Sequence, residues 1–306
     1  MFDAVIVGGG PAGMAAALTL GRVHRPVLLI DAGEGRNATA ESVHNFLTRD
    51  GTPPADLREF GRAELAAYPR VRTATGSATD ARELADGGFQ VVLADGERVT
   101  ARRLLLATGL ADDLPGPPGV ESLWGRSAFH CPYCHGHECA GRRVAVLGAD
   151  PARVRLALHL GRFAADVVLC ADGHPLDPQA RAVLGANGIG VRDEPLARLE
   201  GADGHLRRLV FADGPPLAMD AVFVLNVPRQ RSDLPARLGC ASFADGCVEV
   251  DDFGRTSVPG LYAAGDMARR ATVPVSMAAV VVAAASGTIA ATVIDQDLLS
   301  ADFPWG

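Results

Sequence analysis

Between Phe129 and Cys139 the chain reads FHCPYCHGHEC, three cysteines, three histidines and a glutamate in eleven residues. Such a cluster could hold a metal, staple the chain, or carry electrons. Four zinc ligands drawn from Cys131, Cys134, His137 and Cys139 would sit within nine residues, whereas structural zinc sites join two pairs separated by a dozen or more. A fixed disulfide belongs to oxidising compartments. The chain runs from Met1 into an apolar stretch with no basic leader segment, so a reducing cytoplasm is the expected location. The favoured reading is therefore a redox pair, since C-x-x-C lets two sulfurs alternate between dithiol and disulfide with a depressed thiolate pKa. His130 and His135 flank that pair, and an imidazole titrating near ~6.5 can take up thiol protons. Each histidine has a structural alternative, a hydrogen-bonded ring with no chemical role. His137 and Glu138 read as solvated loop residues, and Cys139, Cys170, Cys240 and Cys247 as small hydrophobes.

The pair needs a scaffold, and the N-terminus describes one. MFDAVIVGGGPAGMAAALTL reads as strand, glycine turn and helix, and RPVLLIDAGE as a second strand closing on an acid. Gly8, Gly10 and Gly13 fit G-x-G-x-x-G, with one glycine for the turn, one for backbone approach to a pyrophosphate and one for helix packing. Asp31 stands where a carboxylate accepts hydrogen bonds from a ribose. GFQVVLADGERVTARRLLLATG adds two alternating strands turning at Asp95 and Gly96, then an apolar strand ending at Ala107, Thr108 and Gly109. A second strand-turn-helix-strand pattern begins at RRVAVLGADPARVRLALHL, and TSVPGLYAAGDMA supplies a late strand ending at Gly265 and Asp266. The expected fold class is α/β, with two Rossmann-like three-layer ββα domains. The first is discontinuous, 1–114 plus 245–306, around an insert at 115–244 that carries the cysteine pair.

The chain has 306 residues, 48% hydrophobic and 21% charged, with a formal net charge of -7. That balance describes a globular protein without a basic stripe for nucleic acid. The run Met277 to Ile294 is interrupted by Ser286, Gly287 and Thr288 and followed by Asp295. It reads as a buried helix of the fold, so no membrane partner is expected.

Taken together, VIVGGGPAG, LLATG, C-x-x-C and GLYAAGD, in this order and spacing, resemble the low-molecular-weight thioredoxin reductases, over essentially the whole chain. The resemblance implies bound FAD, held by Gly8, Gly10, Pro11, Ala12, Gly13, Asp31, Ala107, Thr108, Gly109, Gly265 and Asp266, with Asn45, Thr48 and Asp50 as candidates beside the flavin ring. It also implies a homodimer. By the same analogy Cys134 exchanges electrons with the flavin while Cys131 faces the substrate. HCPYCHG and LLIDAGEGRNA are most similar to the branch containing the oxidases that form the disulfides of holomycin, gliotoxin and romidepsin.

Reductases of this family take hydride from NADPH at a second glycine turn. Here that turn reads Gly148, Ala149, Asp150, Pro151, Ala152, Arg153. Asp150 sets a carboxylate where a pyrophosphate should approach, Arg153 a long side chain where close packing wants Gly or Ala. The segment Ala171, Asp172, Gly173, His174 offers no basic fork for a 2′-phosphate. The expected activity is that of an FAD-dependent dithiol oxidase, closing a disulfide in a small-molecule natural-product dithiol and passing electrons to O2 to give H2O2. Two alternatives remain, a disulfide reductase fed by NADPH or ferredoxin and a flavin- or metal-binding redox sensor without turnover.

Overall fold

The apolar run from Ala4 to Val7 lies inside β1 (Phe2–Val7), which passes through a glycine turn into α1 (Pro11–Arg22) and returns as β2 (Val27–Asp31). The computed structural model describes residues 1–304. Further along come α2 (Pro54–Leu65), β3 (Val71–Thr75), β4 (Ala78–Glu83), β5 (Phe89–Leu93) and β6 (Arg98–Leu106). The sheet order is β3-β2-β1-β6-β5-β4, with β1, β2, β3 and β6 parallel and β4 and β5 antiparallel. β6 forks. Its first half pairs with β5, while Leu104 to Leu106 pair in parallel with the late strand Leu261–Ala263. What the sequence presents as an alternating strand followed by an apolar one is therefore a single strand. Its pattern changes because its neighbours change, from the meander to the sheet interior.

Successive residues of the central strands point to opposite faces and feed two cores. Ile6, Leu29 and Leu105 pack under α1 and the C-terminal helix Val280–Asp302, and Val5, Val7, Leu28, Leu104 and Leu106 pack with Phe89 and Val91. The C-terminal helix meets α1 along Ala283, Gly287, Ala290, Ile294 and Leu298. Only a glycine fits at position 287, because a Cβ there would stand 2.0 Å from the carbonyl oxygen of Ala12. The expectation of a buried helix holds for one face only, since Val281 and Ile289 on the other are 43% and 46% exposed.

The chain divides into two compact units, one of 1–38, 46–111 and the segment from Arg229 onward, the other of 39–45 and 112–228. The first unit is discontinuous, and its return falls at Arg229 rather than at 245. Arg231 N donates to Gly109 O at 3.2 Å and Gln230 Nε2 to Met267 O at 2.8 Å, which ties this stretch to the first sheet. The second unit is built on a parallel sheet in the order Gly190–Arg192, Asp166–Cys170, Arg143–Leu147, Ala221–Phe223, Ala128–Phe129. The helix Pro151–Leu160 covers one face through Ala157 and Leu160, and a three-stranded antiparallel sheet containing Leu199, Leu209 and Phe211 packs on the other.

Candidate active site

The first glycine turn is a cradle closed on the protein side and open on the other. Gly8, at φ +115°, leaves 2.1 Å between a hypothetical Cβ and Ala107 O, and Gly13 leaves 1.8 Å to Gly8 O. At Gly10, by contrast, a Cβ would meet nothing within 4 Å. Gly10 is also the N-cap of α1, and among the described residues no side chain caps the first-turn N–H groups there. An uncapped helix N-terminus with backbone exposed on a glycine is suited to a diphosphate. Ala12 is buried in that first turn, and Pro11 opens it.

Asp31 ends β2 beside the turn. Its carboxylate accepts from Arg58 at 2.7 and 2.9 Å and from Gly33 N at 3.0 Å. Arg58 lies on α2 and carried no local signal in the sequence. Ala107, Thr108 and Gly109 follow β6, where Ala107 N donates to Val7 O and Thr108 Oγ1 contacts Met267 Sδ at 3.2 Å. Gly265 N donates to Ser286 Oγ at 2.9 Å, and Asp266 pairs with Arg36 at 3.1 Å. These residues fit an FAD site formed on the carboxyl ends of β1, β2 and β6. Thr48 and Asp50 belong to the same unit, Thr48 with φ +75°. Asn45 belongs instead to the second unit, where its Nδ2 donates to Tyr133 O between the two cysteines. The three candidates of the 45–50 stretch are thus divided.

At the second glycine turn Asp150 is the N-cap of Pro151–Leu160, and its Oδ1 accepts from Ala152 N at 2.8 Å and Arg153 N at 3.2 Å. The protein's own carboxylate occupies the N–H groups that a nucleotide phosphate would use. Arg153 is folded beneath the loop, with its Cγ 3.0 Å from where a Cβ of Gly148 would stand. Burial lowers the Arg153 pKa, only partly offset by Asp150. An arginine held inward in this way cannot serve as an exposed phosphate fork.

Cys131 and Cys134 are joined as a disulfide with Cα atoms 5.3 Å apart. Cys131 is the N-cap of the short helix Pro132–His135, and Cys134 N donates to its Sγ at 3.2 Å. A donor aimed at this sulfur favours it as a thiolate once the bond opens. The helix follows directly on the strand Ala128–Phe129, so the sheet edge sets its position. His130 stacks on Trp124 with centroids 5.4 Å apart, and His135 lies flat on Phe129 at 4.4 Å. Both ring nitrogens of His135 are shut off from solvent and have no hydrogen-bond partner among the described residues. Burial holds this imidazole below its ordinary range, with Glu138 acting to raise it and His44 to lower it. Burial thus favours its neutral form, the form in which a base must be.

Glu138 corrects its reading as a solvated loop residue. Its Oε2 is also sealed and unpartnered among the described residues, while its Oε1 meets His44 Nε2 at 3.3 Å. His137 is exposed, as a loop residue should be. Cys139 and Cys170 are buried, and desolvation pushes their thiols up to about 11 and about 12. Neither is a nucleophile at neutral pH.

A disulfide in C-x-x-C on one Rossmann-like unit, and a glycine cradle for a dinucleotide on the other, define a flavin-type disulfide oxidoreductase. The chain belongs to the pyridine nucleotide-disulphide oxidoreductase family, whose pattern matches residues 2–287, and it is thioredoxin reductase-like, a class of FAD-binding flavoenzymes. Thioredoxin reductase tcpT of Claviceps purpurea (strain 20.1) is 32% identical over 277 residues, covering 86% of this chain and 86% of its own length. Thioredoxin reductase sirT of Leptosphaeria maculans is 31% identical over 322 residues, covering 99% and 96%. Among solved structures, HlmI matches with a TM-score of 0.90 at 38% identity, over 98% of this chain and 93% of that one. The oxidoreductase from Agrobacterium tumefaciens gives 0.88 at 34%, over 97% and 98%.

Proposed function

We propose that this protein is an FAD-dependent dithiol oxidase that closes a disulfide within a small natural-product dithiol. One observation carries the reading: Asp150 Oδ1 fills the N–H groups at the helix start where a reductase would seat the phosphates of its nicotinamide donor. With that seat filled by the protein's own carboxylate, the substrate dithiol is the electron source in this reading.

The substrate thiolate attacks Cys131 Sγ, the bond between Cys131 and Cys134 breaks, and Cys134 leaves as thiolate. The second substrate thiol then attacks the substrate sulfur of the mixed disulfide and expels Cys131. The product is a cyclic disulfide, and the electron pair stays on the two cysteines. Cys134 N, already donating to Cys131 Sγ, stabilises the leaving thiolate of this second step. The two substrate protons need a base; His130 and His135 flank the pair, and burial favours the neutral form of His135, the form that can take one up. FAD, when bound, supplies the two-electron acceptor that restores the Cys131 to Cys134 disulfide and delivers the pair to O2, released as H2O2.

The reductase alternative is favoured by the names of the relatives, and one experiment separates the two. Under anaerobic conditions the flavin band of the oxidase bleaches with dithiothreitol and not with NADPH or reduced ferredoxin; in air, dithiol oxidation consumes O2 and yields an equivalent of H2O2. Rapid bleaching by NADPH would overturn the proposal. A band that no donor bleaches would instead favour a sensor.

A further inference from the structure

At the end of β2 the Asp31 carboxylate leans over the first glycine turn: a Cβ on Gly9 would stand 2.2 Å from its Cγ and 2.6 Å from its Oδ2. That turn, with its uncapped helix start, suits a diphosphate, and a bare carboxylate beside it would repel the dianion. The carboxylate is not bare. Arg58 Nη2 donates to Oδ1 at 2.9 Å and to Oδ2 at 2.7 Å, and Arg62 Nη1 stands 3.6 Å from Oδ2. The two arginines are one turn apart on α2, so both side chains leave the same face of that helix. α2 can approach α1 closely because residue 61 is glycine, where a Cβ would stand 2.7 Å from Met14 Sδ. The Arg58 and Asp31 side chains are 11% and 18% exposed, so water and salt screen the pair less than they screen surface ion pairs.

An ionised carboxylate offers about four acceptor positions. Gly33 N at 3.0 Å and Arg58 take those on Oδ1, and Arg58 takes one on Oδ2. Arg62 lies beyond hydrogen-bond distance, so Oδ2, the oxygen against the turn, keeps one position for a hydroxyl. We propose that Arg58, backed by Arg62, makes Asp31 usable as a cofactor ligand: the guanidinium cancels the carboxylate charge next to the diphosphate of FAD and leaves Oδ2 to accept from a single hydroxyl of the adenosine ribose. Both arginines are positioning residues, since they act through Asp31. The site's other acid, Asp266, has its own cation in Arg36 at 3.1 Å. The role depends on FAD binding and not on which donor feeds the flavin, so it stands apart from the dithiol-oxidising reading above.

The test is affinity for FAD and ADP, with the full chain freed of flavin, FAD being followed by the quenching of its fluorescence and ADP by competition. Arg58→Gln should weaken both about tenfold or more. Arg58→Lys, which keeps the charge, should recover most of that loss. Adding Asp31→Asn to Arg58→Gln should tighten ADP binding again, because the uncompensated carboxylate is gone; a residue that merely held α2 in place would leave the double variant no better than the single one. Wild-type protein should also bind ADP more tightly than 2′,3′-dideoxy-ADP, and Asp31→Ala should erase the difference. The melting temperature of each flavin-free variant shows that it is folded. Wild-type affinity in Arg58→Gln would overturn the proposal, and so would a double variant that binds no more tightly than Arg58→Gln. Arg58→Lys no better than Arg58→Gln, or equal binding of ADP and its dideoxy analogue by the wild type, would overturn it equally.

Discussion

Asp150→Gly asks whether the second nucleotide site is blocked by one carboxylate. In the wild type, a phosphate placed on Ala152 N and Arg153 N has to displace Asp150 Oδ1, which accepts from both. Two unit charges about 4 Å apart at an effective dielectric of about 20 repel by about 4 kcal/mol, which is close to a thousandfold in affinity. The substitution removes that repulsion and frees both N–H groups. Glycine is a tolerable N-cap, so the helix should lose only a few tenths of a kcal/mol, about a degree in Tm. Titration calorimetry with NADH and NADPH is the assay. Wild-type protein should show no saturation at millimolar nucleotide, and Asp150→Gly should bind measurably, with Arg153→Ala improving the binding further by vacating the space under Gly148. Micromolar binding by the wild type, or a variant indistinguishable from it, would refute the reasoning.

Three further outcomes are expected. Cys134→Ser, offered the disulfide form of a substrate, should hold it on Cys131 as a mixed disulfide visible by mass spectrometry, the Cys131 thiolate attacking the offered disulfide and releasing its second sulfur as a thiol, while Cys131→Ser should hold none; the reverse pattern would exchange the two roles. Gly10→Ala puts a methyl group into space that no protein atom occupies within 4 Å, at a φ of -78° that alanine adopts freely. The apoprotein should therefore melt unchanged while FAD recovered per chain falls about tenfold or more, and full FAD occupancy would show that the turn does not cradle the cofactor. With thiols near about 11 and about 12, Cys139 and Cys170 should resist iodoacetamide at pH ~8 in the folded, reduced protein, where roughly one thiol in a thousand or fewer is ionised; Cys131 should be labelled within minutes.

Much of this was written locally. The strand, glycine turn and helix of residues 2–22 announce themselves because glycine and proline punctuate an otherwise apolar run. The charge of Asp150 and the bulk of Arg153 were legible because the turn they interrupt has a strict steric logic. Glu138 was misread because its environment is not local. The segment 39–45 brings His44 to it from far upstream, and nothing in HGHEC marks one carboxylate oxygen as sealed. The Arg58 clamp on Asp31 was invisible for the same reason, joining a strand end to a helix 27 residues later. β6 looked like two strands because one strand faces two environments. Cys131 and Cys134 needed no tertiary context, since their spacing alone allows the bond.

The late strand Leu261–Ala263 and the helix that meets Ala12 through Gly287 both come from the last fifth of the chain, yet they complete a core begun at Phe2. During synthesis the opening βαβ segment therefore emerges with one flank of β6 and the outer side of α1 bare. Residues 112–228 can form their own sheet in the meantime, because every strand of it lies within that span. A stop codon between residue 228 and the final helix would consequently damage the beginning of the protein more than its middle.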